Sequence, residues 1–214
     1  MMKTKRTLAL SLSGVFVLAS FGPAFANENL IVNGDFMPTS PGCEAAATTV
    51  PGWSVVSGNV DFEDASCNGG VRAPQGSTYY LDLTGSYAES GENDVGVIAQ
   101  TVGTVVGKEY KLSFHFGGNP QWKAYSEYPN DSALKALAVF VNGSIAAVHS
   151  VDTDCGTATD AHWEKKEVRF KATSASTSIT FQSLSGARKP SDFGPLLGHV
   201  VLETVNDGDS GKPD

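Results

Sequence analysis

The sequence predicts an all-β protein, an antiparallel β-sandwich, and three observations predict it. Short segments rich in β-branched and aromatic residues recur along the chain, each bounded by Gly, Pro, Asn, Asp or Ser. Inside them the residue types alternate: Tyr110, Leu112, Phe114 and Phe116 fall on one face, while Lys111, Ser113 and His115 fall on the other, so one face is buried and one is wet. No segment carries a convincing helical period, and about ten strands at this spacing imply two packed antiparallel sheets.

Residues 29–36, Asn-Leu-Ile-Val-Asn-Gly-Asp-Phe, read as the first strand, with Asn33-Gly34 as a bulge or turn because both residue types tolerate positive φ. Leu30, Val32 and Phe36 register it on the core, and Pro51-Gly52-Trp53 passes the chain to the second strand with Trp53 as another anchor. Further strands are predicted over 78–83, 95–102, 109–117, 134–142, 144–151, 163–172, 177–184 and 196–205. Asn142-Gly143 separates two of them by the two-residue spacing of a tight hairpin.

Residues 1–26 have the parts of a secretory signal: Lys3, Lys5 and Arg6, an apolar run from Leu8 to Phe21, and Ala24-Phe25-Ala26 before a cut at Asn27. That run is too short for a membrane span. A single domain over 27–205 and a polar, disordered tail over 206–214 follow. Because the signal holds three of the 15 basic residues and none of the 23 acidic ones, the exported chain keeps 12 against 23, a net charge of −11. The charge therefore argues against nucleic acid as a partner and disfavours anionic lipid and phosphate-rich polymers, and a neutral ligand fits better.

Three cysteines sit in a chain bound for an oxidising compartment. Cys43 and Cys67, which flank Trp53, are the preferred disulfide, with Cys155 bonded to either as the alternative. Their spacing matches no zinc site.

Motifs of catalysis are missing: no Gly-x-Ser-x-Gly elbow, no His-Glu-x-x-His, no phosphate-cradling loop and no dinucleotide fingerprint. Asp61 with Glu63, or Asp152 with Asp154, could be imagined as a glycosidase dyad, but solvated loop acids are the plainer reading. Residues 152–156 and 207–211 each carry part of a calcium-loop pattern without its closing Glu. His149, His162 and His199 read as surface or turn residues, while His115 is kept as a candidate contact because its strand points it out of the core. The richest stretch is 118–131, where Trp122, Tyr125 and Tyr128 fall within seven residues of a polar loop beside Gln121. Aromatic faces stack on the apolar faces of sugars while amides bond the hydroxyls, so the loop is a candidate glycan platform; the alternative is that its aromatics pack back on the sandwich.

Asn29 to Phe36, Pro51-Gly-Trp53, Leu81-Asp-Leu83 before Gly85, Ile98-Ala-Gln100, Tyr110 to Phe114, Gly118-Asn-Pro120, Val141-Asn-Gly143, Trp163, Phe181-Gln-Ser183 and Gly194-Pro195 form an ordered set. In that set the chain resembles the bacterial choice-of-anchor C family, which is similar to a plant cell-wall domain family of unknown function and to galactose-binding-like jelly rolls. The resemblance implies a non-catalytic jelly roll at the cell surface or in extracellular matrix. Related modules place an acid after the first-strand Phe and Asp-Asn in the last strand, together holding a structural calcium. Here Met37, Gly198 and His199 stand at those positions, so no tightly held calcium is expected and apolar packing has to hold the two ends together. The resemblance further implies a variable C-terminal anchor, and residues 206–214 contain neither an apolar span nor a sorting motif. The expected function is binding of an extracellular or cell-wall polysaccharide, without cofactor, through Trp122, Tyr125, Tyr128, Gln121 and His115. A matrix or adhesion protein acting through strand edges or self-association is the alternative, and a hydrolase the third reading.

Overall fold

A computed structural model describes residues 28–86, 95–124, 133–185 and 193–205. The proposed signal and the C-terminal tail lie outside them. Among the described residues eleven strands form two antiparallel sheets. The first sheet runs, edge to edge, β1 (Glu44–Ala47), β3 (Val60–Glu63), β4 (Tyr80–Asp82), β11 (Pro195–Thr204), β6 (Glu109–Gly118), β9 (Glu164–Lys171). The second runs β2 (Ser54–Ser57), β5 (Val97–Gly103), β10 (Ser176–Ser183), β7 (Leu134–Val141), β8 (Ser144–Asp152).

The alternation in β6 decides which side meets the other sheet. Tyr110, Leu112, Phe114 and Phe116 are buried in one core with Ile98, Leu137, Val139, Ile179 and Phe181, and Phe114 meets Phe181 edge-on at 5.1 Å. The outward face is less wet than its sequence predicts. Val71, Tyr80, Ala161 and Leu196 form a second, smaller core there, with Trp163 and Ala73 packed on it. The hairpin at Asn142-Gly143 forms as read, with φ of 50° and 77°, and the Asn142 carboxamide oxygen accepts the Ser178 N–H at 2.9 Å. β2 follows Pro51-Gly52-Trp53, where a second strand is expected, whereas β1 and β3, four residues each, lie outside the predicted strands.

Residues 29–36 do not form the predicted first strand; residues 32–35 are a turn. Asn33 and Phe36 both take positive φ, at 53° and 52°, which breaks any extended ladder. The Asn33 side chain stabilises this by donating to the carbonyls of Pro51 (2.8 Å) and Met37 (3.1 Å) and accepting the Met37 N–H at 2.8 Å. The turn puts Ile31 in the core in place of Val32, which is 64% exposed, while Phe36 is buried as expected and Leu30 packs partly buried against the core. Gln100 replaces a partner strand, accepting the Val32 N–H at 2.8 Å and donating to the Val32 carbonyl at 2.9 Å. Phe36, Trp53 and Phe181 then pack in sequence as tilted rings, at 5.7 Å and 6.0 Å between ring centres.

Polar contacts join the two ends of the domain, so the expectation of apolar packing alone is corrected. Leu30 N–H donates to the Leu202 carbonyl and Val200 N–H to the Gly34 carbonyl, each at 2.9 Å. Asn29 adds a bond in each direction, to the Val200 carbonyl and from the Leu202 N–H. Cys43 and Cys67 are bonded, Cα atoms 6.4 Å apart, which ties the start of β1 to the loop after β3; Cys155 is free and exposed.

A Cβ on Gly34 would lie 2.0 Å from the Val200 carbonyl oxygen. Gly34→Ala should therefore cost at least about 2 kcal/mol, by separating the chain ends. Gly143→Ala, at positive φ but with nothing within 4 Å, should cost only about 1 kcal/mol. Denaturant unfolding of the two variants checks the order.

Candidate functional site

Strand pairing gathers the long connections at one end. Gly118 pairs with Pro195, Leu196 with Asp82 and Phe116 with Glu164 in one sheet, while Gln182 pairs with Val97 and Leu134 with Asp152 in the other. Segments 83–96, 119–133, 153–163 and 184–194 all leave from these positions, and Thr84 Oγ1 lies 3.2 Å from Ser183 Oγ across the two sheets. At the other end the hairpin at Asn142-Gly143 and segments 104–108 and 172–175 are short. Binding residues concentrate on loops carried by a rigid scaffold, so the first end is the candidate site.

Its floor is Asp82, which has no exposed surface. The carboxylate accepts the Thr84 N–H at 2.8 Å, the Gly194 N–H at 3.1 and 3.0 Å, and the Asn119 carboxamide at 2.8 Å. One side chain thus fixes the roots of three loops. Burial, then the Asp61 carboxylate opposite it, pushes its carboxyl up to about 7, while these donors hold it down. Asp61 itself accepts the N–H groups of Ala46 (2.6 Å) and Ser86 (2.9 Å) and the Ser86 hydroxyl (2.7 Å). Glu63 beside them is raised well above the usual carboxylate range, by burial first and then by Asp82 and Asp61; the Asn68 carboxamide bonds it and also the Tyr80 hydroxyl. The carboxylates of Asp61 and Asp82 are buried and accept loop N–H groups. Asp152 accepts the Asp154 N–H at 2.8 Å in a local turn.

From Asn119 the chain enters a short 3₁₀ helix, Pro120–Ala124, a feature the all-strand reading missed. Asn119 Oδ1 accepts the Gln121 N–H at 3.0 Å. Gln121 is buried, not displayed: its amide donates to the Ala158 carbonyl, and Gly69 lies over it so closely that a Cβ would come within 2.3 Å of the amide oxygen. Trp122 is half-buried, its indole N–H donating to Thr153 Oγ1 at 2.8 Å. Thr153, fully buried, passes that bond to the Ala133 carbonyl at 2.9 Å. Lys123 places its ammonium 5.8 Å from the Trp122 ring centre while donating to the Asp154 carbonyl at 2.8 Å. Tyr125 and Tyr128 lie outside the described residues.

His115 is not brought to Trp122. It sits on the outer face of β6, 5.7 Å from the His199 ring, and burial, then His199 and Lys165, lowers its pKa. His199 in turn contacts Asp35 at 2.7 Å through Nδ1, and the Ser77 hydroxyl donates to the same Asp35 oxygen at 2.7 Å. This is where a calcium clasp would lie. The carboxylate there is Asp35, and the His199 imidazole and the Ser77 hydroxyl share one of its oxygens. A hard cation seeking six to eight oxygen ligands does not fit that set.

A second concavity went unnoticed in the sequence. An open cleft of about 450 Å³ beside β2 is lined by Thr39, Thr48, Thr49 and Ser54 with Val50, Pro51, Trp53 and Val55, none of them charged. The threonine pair before Pro51-Gly52-Trp53 was the available signal.

Two antiparallel sheets packed face to face, with the long loops gathered at one end, make a jelly-roll sandwich. The chain belongs to the DUF642 family, proteins of unknown function, whose pattern matches residues 29–203. It is 26% identical over 207 residues to an Arabidopsis thaliana DUF642 protein, L-galactono-1,4-lactone-responsive gene 2, covering 89% of this chain and 49% of that one; it spans about half that relative's length. Among solved structures it is similar to TmCBM61 in complex with β-1,4-galactotriose, with a TM-score of 0.48, 17% identity, and 83% and 99% of the two chains covered. The CBM22-1 xylan-binding domain from Paenibacillus barcinonensis is similar at a TM-score of 0.44 and 14% identity, covering 85% and 97%. Among the described residues no helix is long and apolar enough to cross a membrane.

Two outcomes follow from this end and from the clasp. Asp82 binds its proton more tightly in the folded chain than in the unfolded one, whose carboxyl titrates near 3.9; its stabilisation is full below about pH 4 and is lost as pH rises through about 7. Melting temperature should fall between about pH 4 and pH 7, and Asp82→Asn should reduce that fall. Calcium should leave the melting temperature unchanged, as should a chelator; a large shift in either titration would overturn the account of Asp35 and His199.

Proposed function

We propose that the chain is an exported, non-catalytic module that binds a neutral or weakly charged polysaccharide at its loop end, with Trp122, Tyr125 and Tyr128 as contacts. The observation that carries the reading is Trp122 itself. It stands at the end where four long loops leave the sandwich, half-buried, its indole N–H held by Thr153. A pre-fixed ring loses little freedom when a sugar stacks on it. Gln121, buried against Ala158, acts beneath Trp122 as a positioning residue, and His115 belongs to a separate patch with His199. The disulfide supports export to an oxidising compartment, the net charge supports a neutral ligand, and closer membership within the family, as a choice-of-anchor C protein, is part of the same proposal.

Affinity-gel retardation on a panel of neutral polysaccharides tests it. The purified chain should be retained on at least one, and Trp122→Ala should weaken retention at least about tenfold, about 1.4 kcal/mol, with its melting temperature preserved. Ser54→Arg, which fills the uncharged cleft, should leave retention unchanged. Retention lost with Ser54→Arg and kept with Trp122→Ala would move the site to the cleft, and no retention on any polysaccharide would sink the reading.

A further inference from the structure

The donor set that turns calcium away at the clasp suits a different ion. His115 stands on the outer face of β6, opposite Gly198 of β11. Residues directly opposite share a face and side chains alternate along a strand, so in a regular ladder His199 would point into the core. The ladder is not regular there. From Gly198 to Val201, β11 takes three steps against the two of β6 from His115 to Ser113, and His199 adopts a φ of 48°. Such a bulge re-aims a side chain. Val200 takes the core position at 1% exposure, while the His199 side chain stays 37% exposed and its ring lies 5.7 Å from that of His115, the planes 50° apart. Positive φ at a residue with a Cβ is uncommon, and strain of this kind gathers at functional sites. The residue that bears it here completes a histidine pair.

We infer that His115 and His199 bind a divalent transition-metal ion of borderline softness, zinc being the representative case, with one nitrogen from each ring and water in the remaining positions. Imidazole nitrogens suit zinc, copper and nickel, whereas calcium takes hard oxygens. A zinc–nitrogen bond of about 2.1 Å places a ring centre roughly 3.2 Å from the ion, so two rings at a tetrahedral angle lie about 5 Å apart. Small side-chain rotations close the difference from 5.7 Å. His199 is prepared for the role, because Asp35 holds its Nδ1 at 2.7 Å and the Ser77 hydroxyl holds the same Asp35 oxygen. A carboxylate on one imidazole nitrogen orients the ring and leaves the other nitrogen for a metal. Nδ1 of His115 is shielded from water and has no hydrogen-bond partner among the described residues, so no competing bond at that atom fixes the ring. Charge favours the ion. The whole sequence carries −8, which draws cations, and Lys165, opposite His115 on β9, is engaged by Glu167 at 3.5 Å. Two protein ligands are fewer than the three or four of resident zinc sites, so the ion exchanges freely, and a chelator without added zinc changes nothing. This site does not rest on the glycan reading at Trp122.

Isothermal titration of zinc into the purified full chain tests this. Saturable binding of one ion per chain is expected, with no such binding of calcium. His115→Gln and His199→Gln should each weaken it at least about tenfold. Asp35→Asn, which loosens the His199 ring without removing a ligand, should weaken it by about tenfold, whereas Cys155→Ser and His162→Gln should leave it unchanged. Because His199→Gln also removes a clasp contact, the ring-proton resonances of the unaltered chain read the same site without a variant: those of His115 and His199 should shift with zinc while those of His149 and His162 stay in place. No saturable binding, binding indifferent to both His115→Gln and His199→Gln, binding lost with Cys155→Ser, or binding that leaves the His115 and His199 resonances unmoved overturns the inference.

Discussion

Asp82 is a carboxylate with no access to water, and the loop end is arranged around keeping it there. Isolated, such a group would be far too costly to bury. Gly194, Thr84 and Asn119 offset that cost by donating into it, and each donor lies at the root of a different loop. The buried carboxyl group therefore does for this end of the sandwich what a shared core residue does elsewhere: it forces three separate connections to start from fixed points. Trp122 inherits the fixity through Asn119 and the short 3₁₀ helix, and Thr153 completes it from the opposite sheet.

The clasp at the other boundary shows one polar solution standing where the resemblance implies a metal. Met37 and Gly198 remove the acidic positions, and the structure uses Asp35, His199 and Ser77 with paired main-chain bonds instead. Gly198 also has a steric reason, since a Cβ there would lie 2.7 Å from the Pro74 ring. The departure from the resemblance is thus consistent with the local packing.

The fold was legible wherever period and turn chemistry agreed. β5 to β11 fall within one or two residues of their predicted bounds, because alternation in Tyr110 to Phe116 and a positive-φ pair at Asn142-Gly143 are local signals. Residues 29–36 misled for the same reason: Leu-Ile-Val favours extension locally, but Asn33 finds Pro51 and Gln100 finds Val32, contacts between segments far apart in sequence. Of the candidate site, the aromatic loop was legible and its supports were not. Trp122 announced itself by composition; the burial of Gln121 depends on Gly69 and Ala158, the role of Asp82 on Gly194, and the hydroxyl cleft on how 39 and 48–55 come together, none of which spacing reveals.

The joined ends have a consequence for presentation. Val205 bonds to Glu109 at the start of β6, and Leu30 bonds to Leu202 nearby, so entry and exit share the short-loop pole of the domain. Residues 30 and 205 thus lie at the pole opposite the Asp82 floor. Tension applied through the two ends would load the bonds of Leu30 and Asn29 to β11 one after another, as in an unzipping, before it reached the Asp82 floor.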